Sequence, residues 1–210
     1  MASTPYKDTE FGIAEYPHFN EPDTAFNRET TPLYHGKIVF DGEYAQNLRE
    51  ELDAAAEAAA ESFFRDDPKG AKITAGERKK WTILKPYEEV EDDDGNTTGA
   101  IRLHVKQNAK INVKGTTKNI EIGIYDAKGN AVKKQVFGGS VIRVSYSLRD
   151  IVVAGTKSVG VRADFSKIQV KEWSKGSSAK GFGAVEGEDV ADDQPDYQPS
   201  APEANGNEAY

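Results

Sequence analysis

The sequence predicts a mainly-β protein: a five-stranded antiparallel barrel, one early α-helix and a disordered acidic C-terminal tail. Three observations predict it. From residue 100 to 174, apolar and polar residues alternate in runs separated by turn residues, the pattern of half-buried strands at hairpin spacing. Between 41 and 66 the apolar period is three and four instead, which is helical. From Glu186 to Tyr210 there are eight acidic residues, no Lys and no Arg, and too little apolar surface to offset the entropy of folding.

Each element follows in order. Residues 1–32 are rich in Pro, Thr, Asn and Glu with scattered rings in YPHF and PDTAF, which reads as an irregular arm packed through its aromatics. The barrel domain is expected over 33–174, opening on the short strand LYHGKIVF (33–40). A helix is expected at about 43–64, with Asp41 as N-cap because the first helical amides need an acceptor. Asp66, Asp67, Pro68 and Gly70 stop it. Leu48, Leu52, Ala56, Ala59 and Phe63 form its apolar stripe, and the alanines let it lie close against a sheet. GAKITAGERKK reads as a polar linker and WTILKPYEEV as an extended piece with Pro86 near a strand edge. EDDDGNTTG is a turn, since Asp94, Gly95 and Asn96 tolerate positive φ.

The remaining runs are β. Ile101, Leu103 and Val105 alternate with Arg102, His104 and Lys106. Ile120, Ile122 and Ile124 alternate before a turn at DAKGN, after which the chain should return as a strand. Ile142, Val144, Tyr146 and Leu148 share one face, opposite Arg143, Ser145 and Ser147. VGVRADFSKIQVKEW closes the series. Residues 175–185 are a Gly/Ser linker, and 186–210 are the tail.

Composition narrows the function. The chain of 210 residues is 37% hydrophobic and 30% charged, lean enough to imply a moderate core with polar ends. It has no Cys, which excludes disulfides and thiolate chemistry. No apolar run reaches the ~18 residues of a membrane span, and MASTPYKDTEFG lacks a signal-peptide core, so a cytoplasmic location is expected. His18, His35 and His104 are far apart in sequence, so no zinc site is expected. The VEDDDGNTTGAI turn misses calcium-loop spacing, Asp92 to Asp94 read as a solvated hairpin tip, and VAGTKSVG lacks a phosphate-loop frame. No nucleophile–base pairing stands out. The expectation is a protein that is not an enzyme and needs no metal or cofactor.

Charge gives the positive lead. The net charge of −8 divides into −11 over residues 1–100, +11 over 101–185 and −8 over the tail. Such asymmetry marks a polyanion-binding surface beside an acidic tail. Arg102, Lys106, Arg143, Arg162 and Lys167 lie off the apolar phase of their strands, and Lys110, Lys114 and Lys118 continue the series in a basic loop. These are the expected phosphate contacts. Unpaired bases also need flat rings to stack on. Tyr125 is the best placed, out of phase with the isoleucines and beside Gly123, which would leave room for a base. Phe137, Trp81 and Tyr87 are further candidates, whereas Tyr146 is in phase with the core.

The order FGIAEYP, LKPYE, DGNTT, DAKGNAVK, GGSVIRVSYSL and KGFG resembles the single-stranded-DNA-binding proteins of short-tailed lytic bacteriophages. That resemblance implies an OB-type barrel with its helix placed early, sequence-independent binding of single strands in phage replication, recombination and repair, and often a homodimer. It implies a tail that contacts the phage DNA polymerase and primase-helicase, here through Asp189, Asp192, Asp193, Asp196 and the terminal Tyr210. The chain departs from the family in two places: no aromatic stands near Lys106, and the tail is sparser and ends in Tyr rather than Phe. Because the tail is a tethered polyanion beside a basic segment, it is also expected to compete with DNA for the same groove. Two alternatives are an RNA-binding barrel and a structural or chaperone-like interaction module that touches no nucleic acid.

Overall fold

The computed structural model describes residues 4–25, 31–113 and 115–175. Along the chain lie β1 (Lys7–Asp8), β2 (Gly12–Asp23), β3 (Leu33–Phe40), α1 (Gly42–Asp66), α2 (Ala75–Arg78), β4 (Thr82–Leu84), β5 (Tyr87–Glu91) and β6 (Thr97–Asn108). They are followed by β7 (Lys110–Val113), β8 (Thr116–Asn119), β9 (Gly123–Tyr125), β10 (Val141–Val153) and β11 (Ser158–Glu172).

The N-terminal arm is not irregular. β1 pairs with β10, and β2 pairs with both β3 and β10. Two features hide β2 from a period-two reading. Pro17 looks like a breaker, and Ala14 and Phe19, both buried, are an odd number of residues apart. A register shift between Glu15 and His18, with Tyr16 at φ 47°, adds the extra residue that turns both inward.

Five of these strands close into a ring. β2 pairs antiparallel with β3, β3 with β6, β11 with β10 and β10 with β2. β6 and β11 run parallel. The expectation of a wholly antiparallel barrel therefore fails at that seam, for a topological reason: direction cannot alternate at every neighbour around an odd-numbered ring. Inside lie Phe19, Ile38, Leu103, Val105, Ile142, Val144, Tyr146, Phe165 and Ile168, all buried. Each such side chain contributes about 1.5–3 kcal/mol by leaving water.

The helix α1 packs on β11, β6 and β10. Its expected stripe Leu48, Leu52, Ala56, Ala59 and Phe63 is buried, together with Ala45 and Ala60. Asp41 occupies the N-cap, but its carbonyl rather than its side chain does the capping, accepting from Ala45 N at 3.3 Å. The stretch expected as a polar linker holds a 3₁₀ turn, Gly70–Lys72, and α2. It is tied down by Arg78, which donates to the carbonyls of Ile73 and Phe64, both at 3.1 Å.

Two further expectations are revised. The basic loop after β6 is a two-stranded ribbon, β7–β8, because its Thr and Ile residues suit a pleated surface. The return strand after DAKGN reduces to one bridge, Tyr125 to Ala131. The following segment is held instead by Asn20, whose amide donates to Lys134 O at 3.0 Å while its Oδ1 accepts from Val136 N at 2.9 Å. Among the described residues, no helix is long and apolar enough to cross a membrane, and no three His, Cys, Asp or Glu residues cluster as metal ligands.

Candidate nucleic-acid interface

The long β10–β11 ribbon positions the most ligand-like surface. Cross-strand partners share a face, so Arg143 with Gln169, Ser145 with Lys167, Ser147 with Asp164, and Arg149 with Arg162 all point away from the core. Alongside, β9 pairs parallel with β11, placing Gly123 beside Lys167 and Tyr125 beside Gln169. On the other side β1 sets Asp8 beside Ser145. Together they line an open cavity of about 390 Å³ whose wall includes Tyr125, Arg143, Lys167, Gln169 and the single carboxylate Asp8.

Polar contacts fix this wall. Arg143 Nε donates to Gln169 Oε1 at 2.8 Å, and Gln169 Nε2 donates to the carbonyls of Asp126 at 3.0 Å and Ala127 at 3.2 Å. Gln169 thus joins the guanidinium to the 126–130 turn. Hydrogen bonds from the Asn130 side chain and backbone hold the Asp126 carboxyl below the usual carboxylate range and stiffen that turn. The guanidinium also lies over the Phe11 ring at 5.2 Å, with Lys171 Nζ at 5.8 Å from the same ring. Here cations and rings of the kind a single strand needs stand together.

Sequence reasoning placed Tyr125 and Arg143 separately, and the structure brings them together. It also corrects one detail. The space beside Gly123 is not left for a base: the Tyr125 ring itself occupies it, with Cε2 2.9 Å from where a Cβ would sit. Phe11 is the ring that sequence reasoning missed. Its signal was present, since Phe11 and Ile13 alternate with buried Gly12 and Ala14, and both are exposed (39% and 52%).

The other expected contacts disperse. Arg102 faces outward but is claimed by carboxylates, with Nε 2.8 Å from Glu15 and Nη1 3.8 Å from Glu88. Glu88 also takes Lys37 at 2.6 Å, which holds its carboxyl below the usual range, and it stands 3.4 Å from His104. Burial pushes the His104 imidazole down. That face is self-neutralised. Lys106 is exposed beside Asp164 across the parallel seam, and Arg162 Nε donates to Asp164 Oδ1 at 2.5 Å. Lys110 pairs with Asn119 and Lys118 with Ile111, so the two lysines lie on opposite faces of the β7–β8 ribbon and form no stripe. Lys114 lies outside the described residues, as do Asp189, Asp192, Asp193, Asp196 and Tyr210.

Two rings leave the candidate set. Trp81 packs against Phe63 and Phe64, with centroids at 5.2 and 5.7 Å, in a second apolar cluster under the end of α1. Tyr87 donates to Asp53 Oδ1 at 2.7 Å, pinning β5 to the helix. Phe137 stays accessible, at 40% exposure, in a loop whose Gly138 approaches Pro17. Tyr16, 75% exposed, precedes that proline and adds a second ring at the same corner.

Comparison with known proteins gives two outcomes. No protein-family model and no curated protein sequence matches the chain. Solved structures do. One is the crystal structure of gp2.5, a single-stranded DNA binding protein encoded by bacteriophage T7, with a TM-score of 0.61 over 96% of this chain and 100% of that one at 20% identity. The chain shares its fold. The single-stranded DNA-binding protein from bacteriophage Enc34 in complex with ssDNA matches with a TM-score of 0.53 at 9% identity, over 81% of this chain and 88% of that one. The same Enc34 protein in a further structure matches with a TM-score of 0.51 at 10% identity, over 86% of each chain. The fold implied by the phage resemblance in the sequence is thus matched in the architecture.

Proposed function

We propose that the protein binds single-stranded DNA without sequence preference and that its ring of five strands is an OB-type barrel. The observation that carries this reading is the cavity wall on β9, β10 and β11, where Arg143, Lys167 and Tyr125 converge. Phosphates meet the two cations and a base meets the ring, a combination that is blind to sequence because every nucleotide offers both groups. The likeness to phage proteins that bind single strands supports it.

On this reading the protein has no catalytic role. It coats single strands in the cytoplasm of an infected bacterium during phage replication, recombination and repair. The acidic tail, 186–210, competes for the cationic wall when DNA is absent. When displaced, it recruits the phage DNA polymerase and primase-helicase. A homodimer is part of the same reading.

Fluorescence anisotropy with labelled oligodeoxythymidylate tests it. Binding should weaken steeply with salt, survive competition by duplex DNA and fall in Arg143→Gln and Lys167→Gln. RNA of matching sequence competing equally would favour the RNA-binding alternative. Absence of any binding at low salt would leave the protein-interaction module.

A further inference from the structure

The cavity is one end of a longer feature. The outward rungs of the β10–β11 ribbon run from Arg143 with Gln169, through Ser145 with Lys167 and Ser147 with Asp164, to Arg149 with Arg162. From Arg143 to Arg149 that is about 20 Å at the ordinary strand rise. Ser145 and Ser147 put only small groups between the two ends, so no bulky side chain interrupts the stripe.

The far end is built unusually. Two arginines stand directly opposite each other, an arrangement that like charges disfavour. A single carboxylate serves both: Asp164 Oδ1 accepts from Arg162, and Oδ2 lies 2.7 Å from Arg149 Nε. The second contact is an ion pair without hydrogen-bond geometry, because Arg149 Nε is buried with no hydrogen-bond acceptor. One negative charge is therefore shared by two guanidiniums, with donor capacity to spare. Planar guanidiniums suit phosphate as well as they suit carboxylate.

Resting on the single-strand reading above, we propose that a strand seated in the cavity continues along the outer face of the ribbon, where one of its phosphates takes the place of Asp164 between Arg149 and Arg162. Asp164 is then an internal stand-in for phosphate. It keeps the arginine pair in place while the site is empty and yields it to DNA. The β3–β6 face, with Arg102 spent on Glu15 and Glu88, lies off the path.

The test compares oligodeoxythymidylates near the two ends of the span of about 4–16 nucleotides that one barrel covers. The full chain should bind the long oligonucleotide more tightly and with a steeper salt dependence. Arg149→Gln combined with Arg162→Gln should lower the slope of log K against log salt by about 1.4 for the long oligonucleotide, at roughly 0.7 per lost phosphate contact. It should leave the short one unchanged. Asp164→Asn removes the competitor and should tighten binding of the long oligonucleotide only; this second variant serves if the double variant misfolds. Equal effects on both lengths, or none, would overturn the path while wild-type binding still stands. Failure of the wild-type chain to bind either length would overturn the single-strand reading itself.

Discussion

Tyr125 and Trp81 are both rings in a basic stretch of sequence, and their neighbours give them different work. Tyr125 leans over Gly123 at the edge of the cavity, so its outer face is available. Tyr125→Ala should weaken oligodeoxythymidylate binding about 5- to 150-fold, the cost of one lost stack, with an unchanged unfolding midpoint. Trp81 is held by Phe63 and Phe64, and Trp81→Ala should cost about 3 kcal/mol in urea unfolding, leaving affinity per folded molecule unaltered. Nothing local separates the two: Trp81 follows Arg78-Glu-Lys-Lys-like charge, and its partners lie seventeen residues away on α1. His104 makes a pH prediction. Burial lowers its folded-state pKa, so the unfolded chain takes up a proton first as pH drops below the ordinary value of about 6.5. Stability should fall from there until the folded imidazole also protonates, and then level off. In His104→Gln that decline should disappear from chemical-denaturation curves taken between neutral and mildly acidic pH.

At the scale of elements, the strands that were readable are those whose two faces differ. β6 and β10 alternate cleanly because one side meets the core and the other solvent, and α1 shows its stripe for the same reason. β2 was not readable. Its inward residues change phase at the bulge, and prolines sit where hydrogen bonding is already interrupted. β9 and the segment after it were overread as a hairpin, because isoleucine alternation also suits a short strand followed by a pinned loop. The candidate site was half readable: Arg143 and Tyr125 were found by phase, but their meeting depends on a parallel pairing between β9 and β11, over forty residues apart in sequence. One element makes a sharp test of packing. A methyl group on Gly36 of β3 would meet the Phe19 ring at 2.4 Å, so Gly36→Ala should expel that ring from the barrel interior. A loss of about 1–3 kcal/mol, the ordinary cost of overpacking, should appear as a lower unfolding midpoint.

For the whole molecule, the sign asymmetry of the sequence proved coarser than the surface it foretold. The +11 segment does not form one trough; part of it is cancelled by Glu15 and Glu88, and part is gathered on the β10–β11 ribbon. Carboxylates from the acidic half of the chain fold onto cations of the basic half, which no count along the sequence can show. Removal of residues 186–210 takes away eight carboxylates, and on the proposed competition it should tighten single-strand binding most at low salt, measured by anisotropy across a salt series. The seam between β6 and β11 carries one last consequence. Only Ala163 with Val105 and Asp164 with Lys106 bridge it in register, so the cylinder is zipped shut by its shortest edge. Transient unzipping there would let the barrel breathe without melting either flanking hairpin, and deuterium should enter the amides of that edge ahead of those along β10.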